Sequence, residues 1–169
     1  MKKIVLLAGL LLSVVGNTIA QSTMFSDSII TLNNDKQSLS FNLTNGLFDM
    51  TNEKGEKVIE NAYFQMGGIQ SKENYVERSY TVTNITDELG TGKILSIRIN
   101  VKNYADIIWQ AILYGNNDYI LFNMGVINDS PKDYQLMAFY PIICNNTYKN
   151  IDNNTNCKLL EGAGGGART

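Results

Sequence analysis

Side-chain catalysis near neutral pH draws on histidine, on activated nucleophiles or on paired carboxylates, and this 169-residue sequence contains no histidine. Every Ser-His triad and the commonest metal ligand are thereby removed. Carboxylates remain. Asp87-Glu88 and Asp129…Asp133 are the obvious clusters, while Glu60, Glu77 and Asp106 sit in strand-like stretches. Glycoside hydrolysis needs two carboxyl groups about 5–5.5 Å apart for retention or about 6.5–9.5 Å apart for inversion. Both clusters lie among Gly, Ser or Pro, the composition of solvated turns. Glu60 and Glu77 could face each other, but residues of this kind also decorate the polar outer faces of sheets. No catalytic residue is assigned on this basis.

Two further stretches imitate ligand sites. Asp152, Asn154 and Asn156 match the start of a calcium loop, but Cys157 stands where the loop needs Gly and Ala163 where it needs the bidentate Glu. An exposed Asn-rich loop is the better reading. The closing run EGAGGGART, Glu161 to Thr169, approaches both G-x-G-x-x-[GA] and the Walker pattern. Both motifs work by presenting a helix N-terminus to phosphate; no helix follows here, and Ala167 and Arg168 replace the Gly and Lys of the second motif. A glycine-rich loop is expected, with no cofactor and no metal.

Cys144 and Cys157 have twelve residues between them, too sparse a set for zinc. A disulfide closing that loop would contribute roughly 3 kcal/mol if unstrained; two free thiols are the alternative. The compartment bears on the choice. Lys2 and Lys3, the apolar run Ile4 to Val15, and Asn17 to Ala20 have the layout of a secretory signal. The run is too short to span a bilayer as a mature helix, so residues 1–20 are expected to be cleaved, leaving one domain over residues 21–169. Residue 21 is Gln rather than Cys, against a lipoprotein anchor; a buried N-terminal helix is the other reading. Without Lys2 and Lys3 the chain has 12 basic and 16 acidic residues, net −4. That balance excludes a basic nucleic-acid face. A periplasmic or extracellular protein, free of the membrane after cleavage, is expected.

The elements that must carry these residues read as strands. SLSFNLT alternates Leu39, Phe41 and Leu43 with polar residues, Asn45-Gly46 signals a hairpin, and LFDMT returns. KILSIRINV puts Leu95, Ile97, Ile99 and Val101 on one face and Ser96, Arg98 and Asn100 on the other. ADIIWQAILYG, DYILFNMGVIN and YQLMAFYPII follow, with Ile120, Phe122, Met124 and Val126 sharing an inward face. Strands of about ten residues joined by tight turns predict an all-β, antiparallel β-sandwich with large sheets. Trp109, Tyr114, Tyr119, Tyr134 and Tyr140 are the aromatics that could stack on sugars, with Trp109 and Tyr114 the carbohydrate-binding candidates. Trp109 shares parity with Ile107, Ala111 and Leu113, which favours the core.

DYILFNMGVINDSPKDYQLMAFYPI runs a strand into Asn128-Asp129-Ser130 and a second one to Pro141. With LTNGLFDMTNEKGEKVI near the start and LLEGAGGGART at the end, it resembles the N-terminal super-sandwich of α-galactosidase-like glycosidases (clan D, family 36-like) of the Bacteroides type. The resemblance covers about 120 residues. It implies a galactose-mutarotase-like super-sandwich, open to being incomplete at its C-terminal end, in which the strand ending in N-x-S and the strand ending near Pro form a hairpin. It also implies that the catalytic (β/α)₈ barrel, the domain's partner, lies beyond this sequence, so no catalytic residue carries over. The function expected is that of a non-catalytic domain of an exported α-glycosidase in carbohydrate degradation. The alternative is a free-standing secreted carbohydrate-binding or adhesion module, with an oligosaccharide as its partner.

Overall fold

The computed structural model describes residues 22–144, apart from 27, 130, 132 and 134–137. The signal segment, Tyr134, the Asn-rich loop with Asp152, Asn154, Asn156 and Cys157, and the glycine-rich run lie outside the described residues. The fold is an antiparallel β-sandwich, and no helix occurs among the described residues.

The seven-stranded sheet begins as a meander of β1 (Ser22–Ser26), β2 (Ile29–Asn33), β3 (Gln37–Asn42), β4 (Phe48–Asn52) and β5 (Lys57–Met66). The two-residue β6 (Ile69–Gln70) folds back on β5, and β11 (Phe139–Ile143) pairs with β5 as the sheet's far edge. A second meander, β7 (Glu77–Asp87), β8 (Gly90–Asn100), β9 (Asp106–Tyr114) and β10 (Ile120–Ile127), makes the four-stranded sheet. The chain therefore crosses between sheets twice, after β6 and after β10.

Strict alternation explains how the sheets close on each other. Ile30, Leu32, Leu39, Phe41, Phe48, Met50, Phe64 and Met66 are buried from the larger sheet, and Leu95, Ile97, Ile99, Ile107, Trp109, Ala111 and Leu113 from the smaller. Full burial of each large aliphatic or aromatic side chain contributes about 1.5–3 kcal/mol, so this shared interior is the main source of stability. Trp109 is its pivot: its ring stacks on Phe64 at 5.1 Å between centroids and meets Phe48, Phe41 and Phe122 at 5.1, 5.8 and 5.4 Å. Its indole Nε1 donates to the carbonyl of Pro141, 3.0 Å away on β11. Proline fits there because β11 is an edge strand and loses no ladder bond on its open side.

Two expectations need correction. The resemblance implied a hairpin of β10 with β11, yet among the described residues β10 pairs only with β9 while β11 joins β5 in the other sheet. Local alternation specifies two strands without choosing their partners. Asn45-Gly46 does close the β3–β4 hairpin: Asn42 N–H bonds to Leu47 O, leaving 43–46 as a four-residue loop, and within it only Gly46 has positive φ. Finally, Ile120, Phe122, Met124 and Val126 do face the core but are only partly buried, because β10 is an edge. Phe122→Ala should therefore cost less than the roughly 3–5 kcal/mol of a fully buried phenylalanine; urea unfolding followed by circular dichroism checks this.

Candidate functional site

The outer face of the four-stranded sheet carries a group of polar side chains at the β7, β8 and β9 ends. Alternation in β8 turns Ser96, Arg98 and Asn100 outward. Cross-strand register places Ser79 beside Arg98 and Glu77 beside Asn100 on β7, and Ile108 beside Arg98 on β9. Asp106 opens β9 on the same face, and Ile127 of β10 is its register partner. Together Glu77, Arg78, Ser79, Arg98, Asn100 and Asp106 line an open depression of about 350 Å³.

Asp106 is only 7% exposed, and a carboxylate so buried needs compensation. Arg98 supplies it through Nε and Nη2 on Oδ2, and Asn100 Nδ2 donates to Oδ1 at 2.7 Å. Arg98 also reaches toward the exposed Asp129 at 4.0 Å. With its carboxylate engaged by a guanidinium and an amide, Asp106 fixes the orientation of both neighbours.

Arg78, on the other side of β7, anchors the wall of the depression. Nε donates to Ser71 O at 2.6 Å, Nη2 to Glu73 O at 2.6 Å, and Nη1 to Thr44 O and Leu43 O at 3.2 and 3.4 Å. Burial draws its pKa below the ordinary guanidinium value. Ser71, itself fully buried, donates from Oγ to Gly46 O and accepts from Phe64 N–H. One arginine and one serine thus tie the 43–46 loop to the crossing between the sheets.

The remaining sequence candidates disperse. Trp109 has 0% exposure, which removes it as a sugar platform in this packing: its ring faces are spent on phenylalanines. Tyr114 is likewise buried, at 2%, so its ring offers no open stacking face. It crosses Gly92, where a Cβ would meet the Tyr114 ring at 3.0 Å, and its hydroxyl donates to Asp87 Oδ2 at 2.7 Å. Tyr119 and Tyr140 are exposed at 41% and 48%, but the first lies in the β9–β10 turn and the second on β11 of the larger sheet. Glu60 lies on the larger sheet, bonded to Lys57, and Glu77 on the smaller one. Asp87 ends β7 and Glu88 begins the β7–β8 turn, and Asp129 and Asp133 are exposed. Cys144, half-buried, follows β11, and burial pushes its thiol pKa up; its expected partner Cys157 lies outside the described residues. Among the described residues no group of three or more His, Cys, Asp or Glu could hold a metal ion.

The Tyr114–Asp87 bond has a pH consequence. Chiefly through that hydrogen bond, the phenol is pushed up from 10.0 to about 12. The fold favours the protonated phenol, so its contribution to stability is complete below pH 10 and is lost as pH rises through about 12. Tyr114→Phe should remove a late step, near pH 12, from the tyrosinate absorbance titration.

The grouping of Arg98, Asn100 and Asp106 was missed by sequence reasoning. Its only sequence signal is a pair of polar residues on the solvent parity of an otherwise apolar strand, followed across a short turn by an acid. Compared with known proteins, the chain matches no family model, no curated protein and no solved structure.

Proposed function

We propose that this chain is an exported, non-catalytic β-sandwich domain acting in carbohydrate degradation, the N-terminal partner of an α-galactosidase-like catalytic barrel. One observation carries the reading. The interior is a filled hydrophobic layer, and Asp106, the one buried carboxylate among the described residues, is engaged by Arg98 and Asn100. Such a body suits support and positioning, whereas glycoside hydrolysis needs two carboxyl groups held across a bond. The residues that carry the family resemblance supply the barrel as partner.

Purified protein is expected to give no turnover of nitrophenyl α-galactoside or α-glucoside above a buffer blank. Turnover lost on Asp106→Ala, Glu60→Ala or Glu77→Ala would place catalysis on the sheets and overturn the proposal. The partner is tested separately: the reading frame that continues past the Thr169 codon should encode a (β/α)₈ barrel, and a frame encoding none would remove the glycosidase assignment. The mixed polar depression on the smaller sheet favours one second reading, a free-standing carbohydrate-binding module.

A further inference from the structure

We infer that the depression around Arg98 and Asn100 binds one pyranose ring of a neutral carbohydrate, a site on the outer face of the four-stranded sheet. The inference rests on the carbohydrate reading above and gives it a location. Charge decides the ligand class first. Glu77 and Asp106 line the depression with Asp129 at its margin, against Arg98 and Arg78. Arg98 is already engaged by Asp106, and Arg78 is spent on carbonyl oxygens. An incoming anion would meet surplus carboxylate, while the acids are too few and too dispersed to enclose a metal ion. What remains is a mixture of donors and acceptors: the Nη1 of Arg98 and the second amide hydrogen of Asn100, which Asp106 does not engage, with the carboxylate of Glu77 and the hydroxyl of Ser79 in the neighbouring register positions. Adjacent fixed donors and acceptors match vicinal hydroxyl groups, each of which both donates and accepts.

The surroundings supply the other half of a sugar's chemistry. Beside the polar group, Ile127 is 39% exposed and Ile108 is partly covered. Gly125, two residues before Ile127 on β10, is the register partner of Ile108, and a Cβ there would meet nothing within 4 Å. The row Gly125, Ile108, Arg98, Ser79 therefore runs from open space at Gly125, past the partly covered Ile108 beside the depression, to its polar lining. A pyranose has that same division, with C–H groups on its faces and hydroxyls at its rim. Few polar groups that fix orientation beside an apolar wall are the usual make-up of a small-molecule site. Asp106, buried and doubly bonded, holds Arg98 and Asn100 in place before the ligand arrives, which lowers the ordering cost of binding.

The test is an NMR titration of the isotopically labelled full chain with methyl α-galactoside, reading the side-chain N–H signals of Arg98 and Asn100. Saturable shifts confined to these groups and to β7–β10 neighbours are expected, with a dissociation constant on the order of 1–10 mM. Asn100→Ala and the exposed-site variant Glu77→Gln should each weaken binding about tenfold, with circular dichroism showing both folded. Shifts absent at saturating sugar, reproduced equally by glycerol, produced by sulfate instead, or centred on the larger sheet would each overturn the site. A barrel encoded after Thr169 with no sugar shift would overturn the site alone and leave the domain assignment standing. Sugar shifts with no barrel encoded would keep the site and transfer it to a free-standing module.

Discussion

Trp109→Ala is expected to remove about 3–5 kcal/mol of stability, a large share of the roughly 5–15 kcal/mol that holds a typical domain. Three effects add. Removing the fully buried indole forfeits its transfer free energy and leaves a cavity that rigid sheets on both sides cannot collapse to fill. The ring contacts with Phe41, Phe48, Phe64 and Phe122 are lost together, and each such pair is worth about 0.5–1.5 kcal/mol beyond area alone. The Pro141 carbonyl also loses its indole donor. That third effect separates out in Trp109→Phe, which keeps an aromatic against Phe64 but not the N–H; its hydrogen-bond share should be about 1 kcal/mol. Because the indole ties β11 to the opposite sheet, both variants should also expose the chain near Pro141 to protease sooner. Urea unfolding by far-UV circular dichroism is the measurement, since Trp109 is the only tryptophan and its fluorescence vanishes with it. A loss under 1 kcal/mol for Trp109→Ala would mean that the two sheets do not close on this residue.

Particular residues show how far the sequence could be read. In KILSIRINV the alternation is clean, and the structure buries Leu95, Ile97 and Ile99 at 0% exposure while Arg98 and Asn100 point out. Trp109 could be placed by parity with Ile107 and Ala111 for the same reason: the side-chain period of a strand is two. Beyond Glu77 the course of β7 was not legible, because its sequence, ERSYTVTNITD, has few apolar residues, and at a sheet edge Tyr80 is exposed while Val82 and Ile85 are only partly covered. Partner choice was equally hidden. Nothing local in DYILFNMGVIN or in FYPII says that the first pairs with β9 and the second with β5; both choices follow from burying two sheets together. The candidate site illustrates the same limit. Arg98 and Asp106 are brought together by the β8–β9 register, and Arg78 meets Leu43 and Thr44 across 35 and 34 residues. Such contacts are products of the fold, so residue spacing alone could not announce them.

Gly46→Ala should be the most damaging of the conservative changes, and a second glycine supplies its control. Gly46 and Gly55 have nearly the same backbone conformation, φ of 69° and 75°. An alanine at either pays the left-handed penalty, about 1–2 kcal/mol. Around Gly55 a new Cβ meets nothing within 4 Å, so its cost ends there. At Gly46 the Cβ would lie 1.8 Å from the carbonyl oxygen of Ser71 and 2.6 Å from Arg78 Nε. Neither neighbour can turn aside cheaply. The first is backbone, held because Ser71 Oγ bonds Gly46 O while Ser71 O accepts from Arg78. The second is the guanidinium whose other bonds fix Glu73, Thr44 and Leu43. Relief requires the 43–46 loop to move away from the crossing, which strips buried donors of their acceptors at about 1–3 kcal/mol apiece. Gly46→Ala is therefore expected to cost about 3–5 kcal/mol against about 1–2 kcal/mol for Gly55→Ala. Paired urea titrations read the difference directly. Equal losses at the two glycines would show that the loop is not pinned, and that Arg78 does not join the sheets as its four carbonyl bonds imply.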